Sequence, residues 1–188
     1  MKRGCPIVDT QRQGGQFLPT LSPRVDNGAA PFQRLQRVRV GRALIPPPPL
    51  PPSIFIGTER GNLETADRDW NKLEPAFMQT LLEIFARMEA RGYPLALVEG
   101  YRSPDRQDQL AQGEQKITNA RAFHSMHQFG LAADVAPIRN GKIAFNLGDA
   151  WTKAAYLALG EEASSSKLIW GGAWALQDYG HIQSRKQK

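Results

Sequence analysis

One cysteine, three histidines and no apolar run long enough to cross a bilayer are the scarcities of this 188-residue sequence. Cys5 has no second cysteine to pair with, which excludes a secreted scaffold held together by internal disulfides. No stretch approaches the ~18 consecutive apolar residues of a transmembrane helix. Met1-Lys2-Arg3 has the basic start of a signal peptide, yet Cys5 to Gln16 supply neither an apolar segment behind it nor the run a lipoprotein signal would need. The expectation is a chain made and folded in a cytoplasm. Acidic side chains are scarce at one end only. Residues 1–57 carry Asp9 and Asp26 against Lys2, Arg3, Arg12, Arg24, Arg34, Arg37, Arg39 and Arg42, which accounts for the whole net charge of +6. Residues 58–188 hold sixteen charges of each sign.

Ten of the fourteen prolines also fall in the first 57 residues, so the chain divides into two parts. Residues 1–57 read as a basic, Pro-rich arm. Gly14-Gly15, Pro19, Pro23, Asn27-Gly28 and Pro31 interrupt it too often for a long helix or strand. Between Phe32 and Ile45 apolar and Arg positions mix, consistent with a short strand or helix docking on another surface. Ile45 to Pro52 is then an extended polyproline II spacer, because each proline fixes φ and removes an amide donor. The arm's basic residues cluster only at Arg34, Arg37, Arg39 and Arg42, with Phe32 as the aromatic beside them. That is a poor nucleic-acid signature, and no nucleic acid is expected; an anionic polymer or membrane surface suits the charge equally well.

Residues 58–188 read as one α+β domain of ordinary size with a core of its own. Pro75 suits a first helical position. Phe77, Leu81, Ile84, Phe85 and Met88 form one apolar stripe, and Gly92 ends the helix. Leu95 to Val98 reads as a buried strand, and Ser103-Pro104 caps a helix running to Gly113. Leu131 to Val135 is a second strand, followed by an Asn140-Gly141 hairpin between Ile138 and Ile143. Asp149 caps a helix expected to end at Gly160, and Leu168 to Trp170 and Gly180 to Gln183 supply the last strands.

Two of the three histidines stand in informative surroundings. His127 and Asp134 are seven residues apart with Gly130 between them, a loop that turns at the glycine and enters a strand. Asp178 and His181 form a second carboxylate–imidazole pair. Two His and one Asp suit Zn²⁺ with a fourth position open to water, and such a metal makes water a nucleophile at neutral pH. A base is then needed for proton transfer, for which Asp178 is the candidate. Arg102, just after a strand, is the candidate fixed positive charge for a developing oxyanion. Plainer readings stand beside these: Asp178 as a cap or turn residue, Arg102 paired with Glu99 or Asp105 on the surface, Trp170 and Trp174 as core or wall, and His124 as an ordinary loop histidine.

The run Ser125-x-His127-x-x-Gly130-x-Ala132-x-Asp134 resembles the first zinc motif of the D-Ala-D-Ala carboxypeptidase and L-alanyl-D-glutamate endopeptidase family, peptidase family M15. Glu99-Gly100-Tyr101-Arg102-Ser103, with Arg106-Gln107 after it, is similar to that family's arginine segment. Trp170-Gly171-Gly172-Ala173-Trp174 and Asp178-Tyr179-Gly180-His181-Ile182-Gln183 are similar to the segments around its last ligand. The resemblance spans about Thr58 to Gln183. It implies a Hedgehog/D-Ala-D-Ala peptidase-type fold with a small antiparallel sheet, and Zn²⁺ held by His127, Asp134 and His181. It also implies Asp178 as catalytic base and Arg102 polarising the scissile carbonyl, with Ser125, Gln107 and Trp170 as substrate-contact candidates. The implied substrate is the peptidoglycan stem peptide. The Asp-x-x-His form resembles the endopeptidase branch that cuts between L-Ala and D-Glu, often in phage and prophage lysis enzymes. A D,D-carboxypeptidase or dipeptidase is the alternative, as is a structural phage tail component carrying this domain. The arm, residues 1–57, then becomes a candidate attachment segment to phage tail or other particle proteins, and the protein is expected in the host cytoplasm before release to the wall, or on the virion.

Overall fold

The structure, a computed structural model of the chain, describes residues 39–40, 43–55, 63–112 and 125–185. The expected arm features before residue 39, Gly113 and His124 lie outside the described residues.

The short element expected between Phe32 and Ile45 is, in its described part, a pair of two-residue antiparallel strands, β1 (Arg39–Val40) and β2 (Ala43–Leu44). β2 docks on helix α1 (Pro75–Ala90). The Leu44 amide donates to Gln79 Oε1 at 2.7 Å, and Gln79 Nε2 donates back to the Leu44 carbonyl at 2.9 Å. The Pro-rich run that follows forms no regular hydrogen-bonded structure through Pro51, whose φ of −57° and ψ of 137° are those of polyproline II. Leu50 and Ile54 pack against the core, and Phe55 is part of it.

Helix α1 begins where Pro75 needs no amide partner and Glu74 accepts from the Phe77 amide at 2.7 Å. It ends before Gly92, whose φ of +85° a side chain would disfavour. All five residues of the expected stripe are buried, together with Leu82. β3 (Leu95–Glu99) is buried throughout, and α2 (Pro104–Gln112) opens with Ser103 Oγ accepting from the Arg106 amide.

β4 (Ala132–Arg139) is longer than expected. Its second half remains buried and reaches the Asn140-Gly141 turn, with φ of +51° and +75°, that returns the chain as β5 (Lys142–Ile143). α3 (Ala150–Ser165) is capped by Asp149 on the Thr152 amide, but it continues through Gly160 rather than stopping there. A Cβ at Gly160 would lie 2.5 Å from the Trp170 indole, so this glycine makes room for a ring instead of ending a helix. β6 (Ile169–Trp170) and β7 (His181–Gln183) complete an all-antiparallel sheet of order β3-β4-β7-β6, with β5 against the far end of β4. Helices α1 and α3 pack on each other and, with the buried residues Leu97, Val135 and Ile182 of the sheet, form one apolar core. Among the described residues no helix is long and apolar enough to cross a membrane.

The two helices are also pinned electrostatically. Glu162 of α3 receives Arg87 Nε at 2.6 Å and Arg91 Nη1 at 3.0 Å from α1. Burial alone would raise its pKa, but the two guanidinium groups outweigh burial and hold the carboxyl below its ordinary value of 4.5. A depressed folded-state pKa means stability present above the unfolded value and lost as pH falls through the folded one. Glu162→Gln should therefore cost about 1 kcal/mol at pH 7. Denaturant unfolding at stepped pH should show the gap to wild type closing as pH drops below about 4.5.

Candidate metal centre

The sheet register places Glu99 of β3 opposite Asp134 of β4, and Asp134 opposite His181 of β7. Three polar side chains thus stand side by side on adjacent strands, all buried. His127 joins them from a 3₁₀ turn, Met126–Phe129, immediately before β4. That turn closes on Gly130, which has φ +65°, and a Cβ there would meet the Lys72 carbonyl at 2.5 Å and the Glu74 amide at 2.8 Å. The Glu74 amide donates to the Gly130 carbonyl at 2.9 Å, so the start of α1 and the His127 turn are locked together through a position only glycine can occupy.

The hydrogen bonds around the imidazoles decide which nitrogens face inward. His127 Nδ1 is 2.7 Å from the Gly100 carbonyl, which can only accept, so Nδ1 carries the proton and Nε2 presents a lone pair. His181 Nε2 is 3.0 Å from Gln183 Oε1, which by the same logic leaves Nδ1 bare. Those two nitrogens are 3.3 Å apart, and Asp134 Oδ1 lies 3.0 Å from His181 Nδ1 and 3.5 Å from His127 Nε2. With both rings neutral, these are three acceptors within 4.8 Å of one another in a buried setting, an arrangement that favours a shared cation. Two imidazole nitrogens and one carboxylate oxygen are a donor set that fits Zn²⁺.

Electrostatics mark the same place as one that stabilises positive charge. Burial would push the Asp134 carboxyl upward, but His127 and His181 more than offset it and hold the carboxyl well below its ordinary range. Burial would lower the His181 pKa, yet Asp134, aided by Gln183 and the charge of Asp178, raises it, so the cluster favours positive charge at Nδ1, which a proton or a bound cation can supply.

Asp178 is half-buried in the turn leading to β7. Its amide donates to the Gly171 carbonyl at 3.0 Å, and its own carbonyl accepts from the His181 amide at 3.2 Å. A Cβ on Gly171 would come within 2.6 Å of that Asp178 carbonyl and 3.0 Å of the His181 Cβ, so the first glycine of the Trp-Gly-Gly segment permits this close approach. The Trp174 ring stands 5.0 Å from the His181 ring and is 39% exposed, forming an apolar wall beside the cluster. Trp170 is taken up by packing: its ring fills the space left by Gly160 and Gly172, and Nε1 donates to the Tyr179 carbonyl at 2.8 Å.

Arg102 is buried, with its guanidinium spread over three partners. Nε donates to Glu99 Oε2 at 3.0 Å, Nη1 to Gln107 Oε1 at 3.0 Å, and Nη2 to Asp134 Oδ2 at 3.1 Å and to Glu99. The pairing with Glu99 is therefore present but internal. Gln107 is fully buried behind Arg102, and Ser125 is buried ahead of the 3₁₀ turn with its carbonyl accepting from the Gln128 amide. The structure thus brings His127, Asp134, His181, Asp178 and Arg102 to one place, with Gln107 behind them and Trp170 in the adjacent wall. Two residues of the cluster went unassigned in the sequence. Glu99 was read as a surface partner of Arg102 and as the first residue of the arginine segment, and Gln183 as the end of the last strand and of the second zinc segment, neither with a role at the site.

A buried His₂Asp acceptor set on an antiparallel sheet, with a half-buried carboxylate alongside, is the centre of a metallohydrolase. A family profile described as D-alanyl-D-alanine carboxypeptidase matches residues 118–184. The chain is 32% identical over 121 residues to the peptidoglycan L-alanyl-D-glutamate endopeptidase CwlK of Bacillus subtilis (strain 168), covering 59% of this chain and 72% of that protein. The fold is similar to that of the LdcB LD-carboxypeptidase, with a TM-score of 0.50 and 23% identity over 64% of this chain and 63% of that one. It is also similar to the vancomycin resistance D,D-pentapeptidase VanY solved in complex with Zn(II), with a TM-score of 0.48 and 16% identity over 60% of this chain and 71% of that one. The chain belongs to the M15 family of zinc metallopeptidases.

Gly130→Ala should cost about 2 kcal/mol or more, because the new methyl meets backbone atoms of a neighbouring segment at a φ that disfavours it. Thermal unfolding should show the loss, and zinc titration should show weaker binding, since His127 rides on the displaced turn.

Proposed function

We propose that this M15 metallopeptidase cleaves the stem peptide of peptidoglycan as an L-alanyl-D-glutamate endopeptidase. The convergence of three lone pairs from His127, Asp134 and His181 carries the reading of the site. The similarity to CwlK and the carboxylate Asp178, an Asp three residues before His181, support the bond assigned. His127, Asp134 and His181 would hold zinc, which would supply Lewis acidity to a bound carbonyl and to water. Asp178 stands beside the cluster, where its carboxylate takes a proton from the attacking water and returns it to the departing amine. Arg102 is held by Glu99, Gln107 and Asp134, so its positive charge acts on the scissile carbonyl through the field it sets behind Asp134 rather than by direct contact. Trp174 walls the site beside His181 and excludes water from one side of the substrate.

The same site could serve a D,D-carboxypeptidase, the activity described for the matching family profile. Mass spectrometry of digested muropeptides separates the two: the endopeptidase releases stem peptides from L-Ala, whereas the carboxypeptidase removes only a terminal D-Ala. We further propose that the basic arm of residues 1–57, in the part ahead of residues 43–55, which pack on the domain, attaches the enzyme to a particle or wall surface, with a phage lysis enzyme or virion component as the setting. The basic charge of that segment supports this reading.

Asp178→Ala should leave zinc stoichiometry at wild type and lower muropeptide cleavage by roughly 10²- to 10⁴-fold. His127→Ala should lose both metal and cleavage. Near wild-type digestion by Asp178→Ala would remove it from the role of base.

A further inference from the structure

Residue Glu99 has no part in the reading above, although it is a carboxylate only 5% exposed and set opposite a metal-ligand aspartate. The β3–β4 register shifts between Leu97 and Glu99, and that irregularity brings Glu99 level with Asp134. Two buried carboxylates on neighbouring strands repel unless a cation stands between them. Arg102 is that cation. Its Nη2 donates both to Glu99 Oε2 and to Asp134 Oδ2, the latter at 3.1 Å, while its Nε holds Glu99 Oε2 at 3.0 Å. Arg106 Nε takes the other oxygen, Glu99 Oε1, at 3.2 Å.

From this arrangement we infer that Glu99 is a positioning residue for the zinc site, acting through Arg102 on Asp134. The consequence for Asp134 is geometric. Arg102 occupies Oδ2, so only Oδ1 faces His127 and His181, and the ligand offers the metal a single oxygen. The consequence is also electrostatic. With Glu99 in place, the guanidinium charge is shared between two carboxylates. Without it, that charge falls on Asp134 alone and competes with the metal for it. The next residue along, Gly100, supplies the carbonyl that fixes the His127 tautomer, so Glu99 to Arg102 supports two of the three ligands. Partners behind metal ligands set affinity in this way, by roughly 10- to 100-fold when removed.

This inference rests on the zinc reading of the site, and the experiment separates the two. Zinc dissociation constants would be measured by chelator competition on the full chain for wild type, Glu99→Gln and Arg102→Lys, together with visible spectra of the cobalt-substituted proteins and thermal unfolding of the metal-free forms. Arg102→Lys keeps the positive charge but loses the fork that spans both carboxylates. Wild type that binds no zinc overturns the zinc reading itself. If wild type binds, both variants should bind zinc roughly 10- to 100-fold more weakly and shift the cobalt bands, which report the ligand geometry. Wild-type affinity and cobalt spectrum in both variants, whatever the change in thermal stability, would make Glu99 merely structural and overturn the inference. A loss with Glu99→Gln but not with Arg102→Lys would overturn the relay through Arg102. Should Glu99→Gln fail to fold, Arg102→Lys alone decides: unchanged affinity and spectrum refute the inference, and weakened binding with shifted bands supports it.

Discussion

Two imidazole nitrogens and a carboxylate oxygen, all within 4.8 Å in a buried site, leave three lone pairs facing one another unless a proton or a metal cation stands between them. Much of the local design follows from arranging that convergence. The Gly100 carbonyl and Gln183 amide each fix one imidazole tautomer, and Arg102 claims the outer oxygen of Asp134. The glycines do a complementary job with backbone. Gly130 lets the His127 turn lie against the start of α1, and Gly171 lets the Asp178 turn pass against His181. A side chain at either place would move a ligand by about the distance over which metal coordination fails.

The sheet supplies the rigidity this requires. Asp134 and His181 are register partners on adjacent strands, so their separation is set by the ladder of hydrogen bonds rather than by a loop. Their strands are backed by α1 and α3, whose apolar residues share one core with Val135 and Ile182 next to the ligands. His127 alone comes from a turn, and that turn is bonded at both ends: to Arg102 through its backbone carbonyl and to Glu74 through Gly130. Ligands of mixed origin are thereby held by two independent constraints, strand register and a locked turn.

Much of the α+β pattern was legible because its signals are local. The stripe from Phe77 to Met88, the Ser103 and Asp149 caps and the Asn140-Gly141 turn each depend on residues within a few positions of one another. Gly160 misleads for the opposite reason: its meaning depends on Trp170, ten residues away and on another element. Likewise the length of β4 depends on the neighbours that bury its second half, which no pattern within β4 announces. Arg102 reads in sequence as a free positive charge, and its Glu99 partner as a surface acid. Both are internal because the strand register brings a second carboxylate, Asp134, to the same guanidinium.

By itself, then, the sequence determined which residue types were available for chemistry: so few histidines that His127 and His181 stood out, each with a carboxylate close by in the chain. It also confined the net positive charge to residues 1–57. Tertiary structure alone decided which atoms meet. The choice of Nε2 on His127 and Nδ1 on His181, the division of labour between the two oxygens of Asp134, and the place of Glu99 behind it all arise from contacts between segments up to 54 residues apart. Spacing along a chain fixes neither register nor tautomer, since both are set by the hydrogen-bond partners that only folding brings within reach.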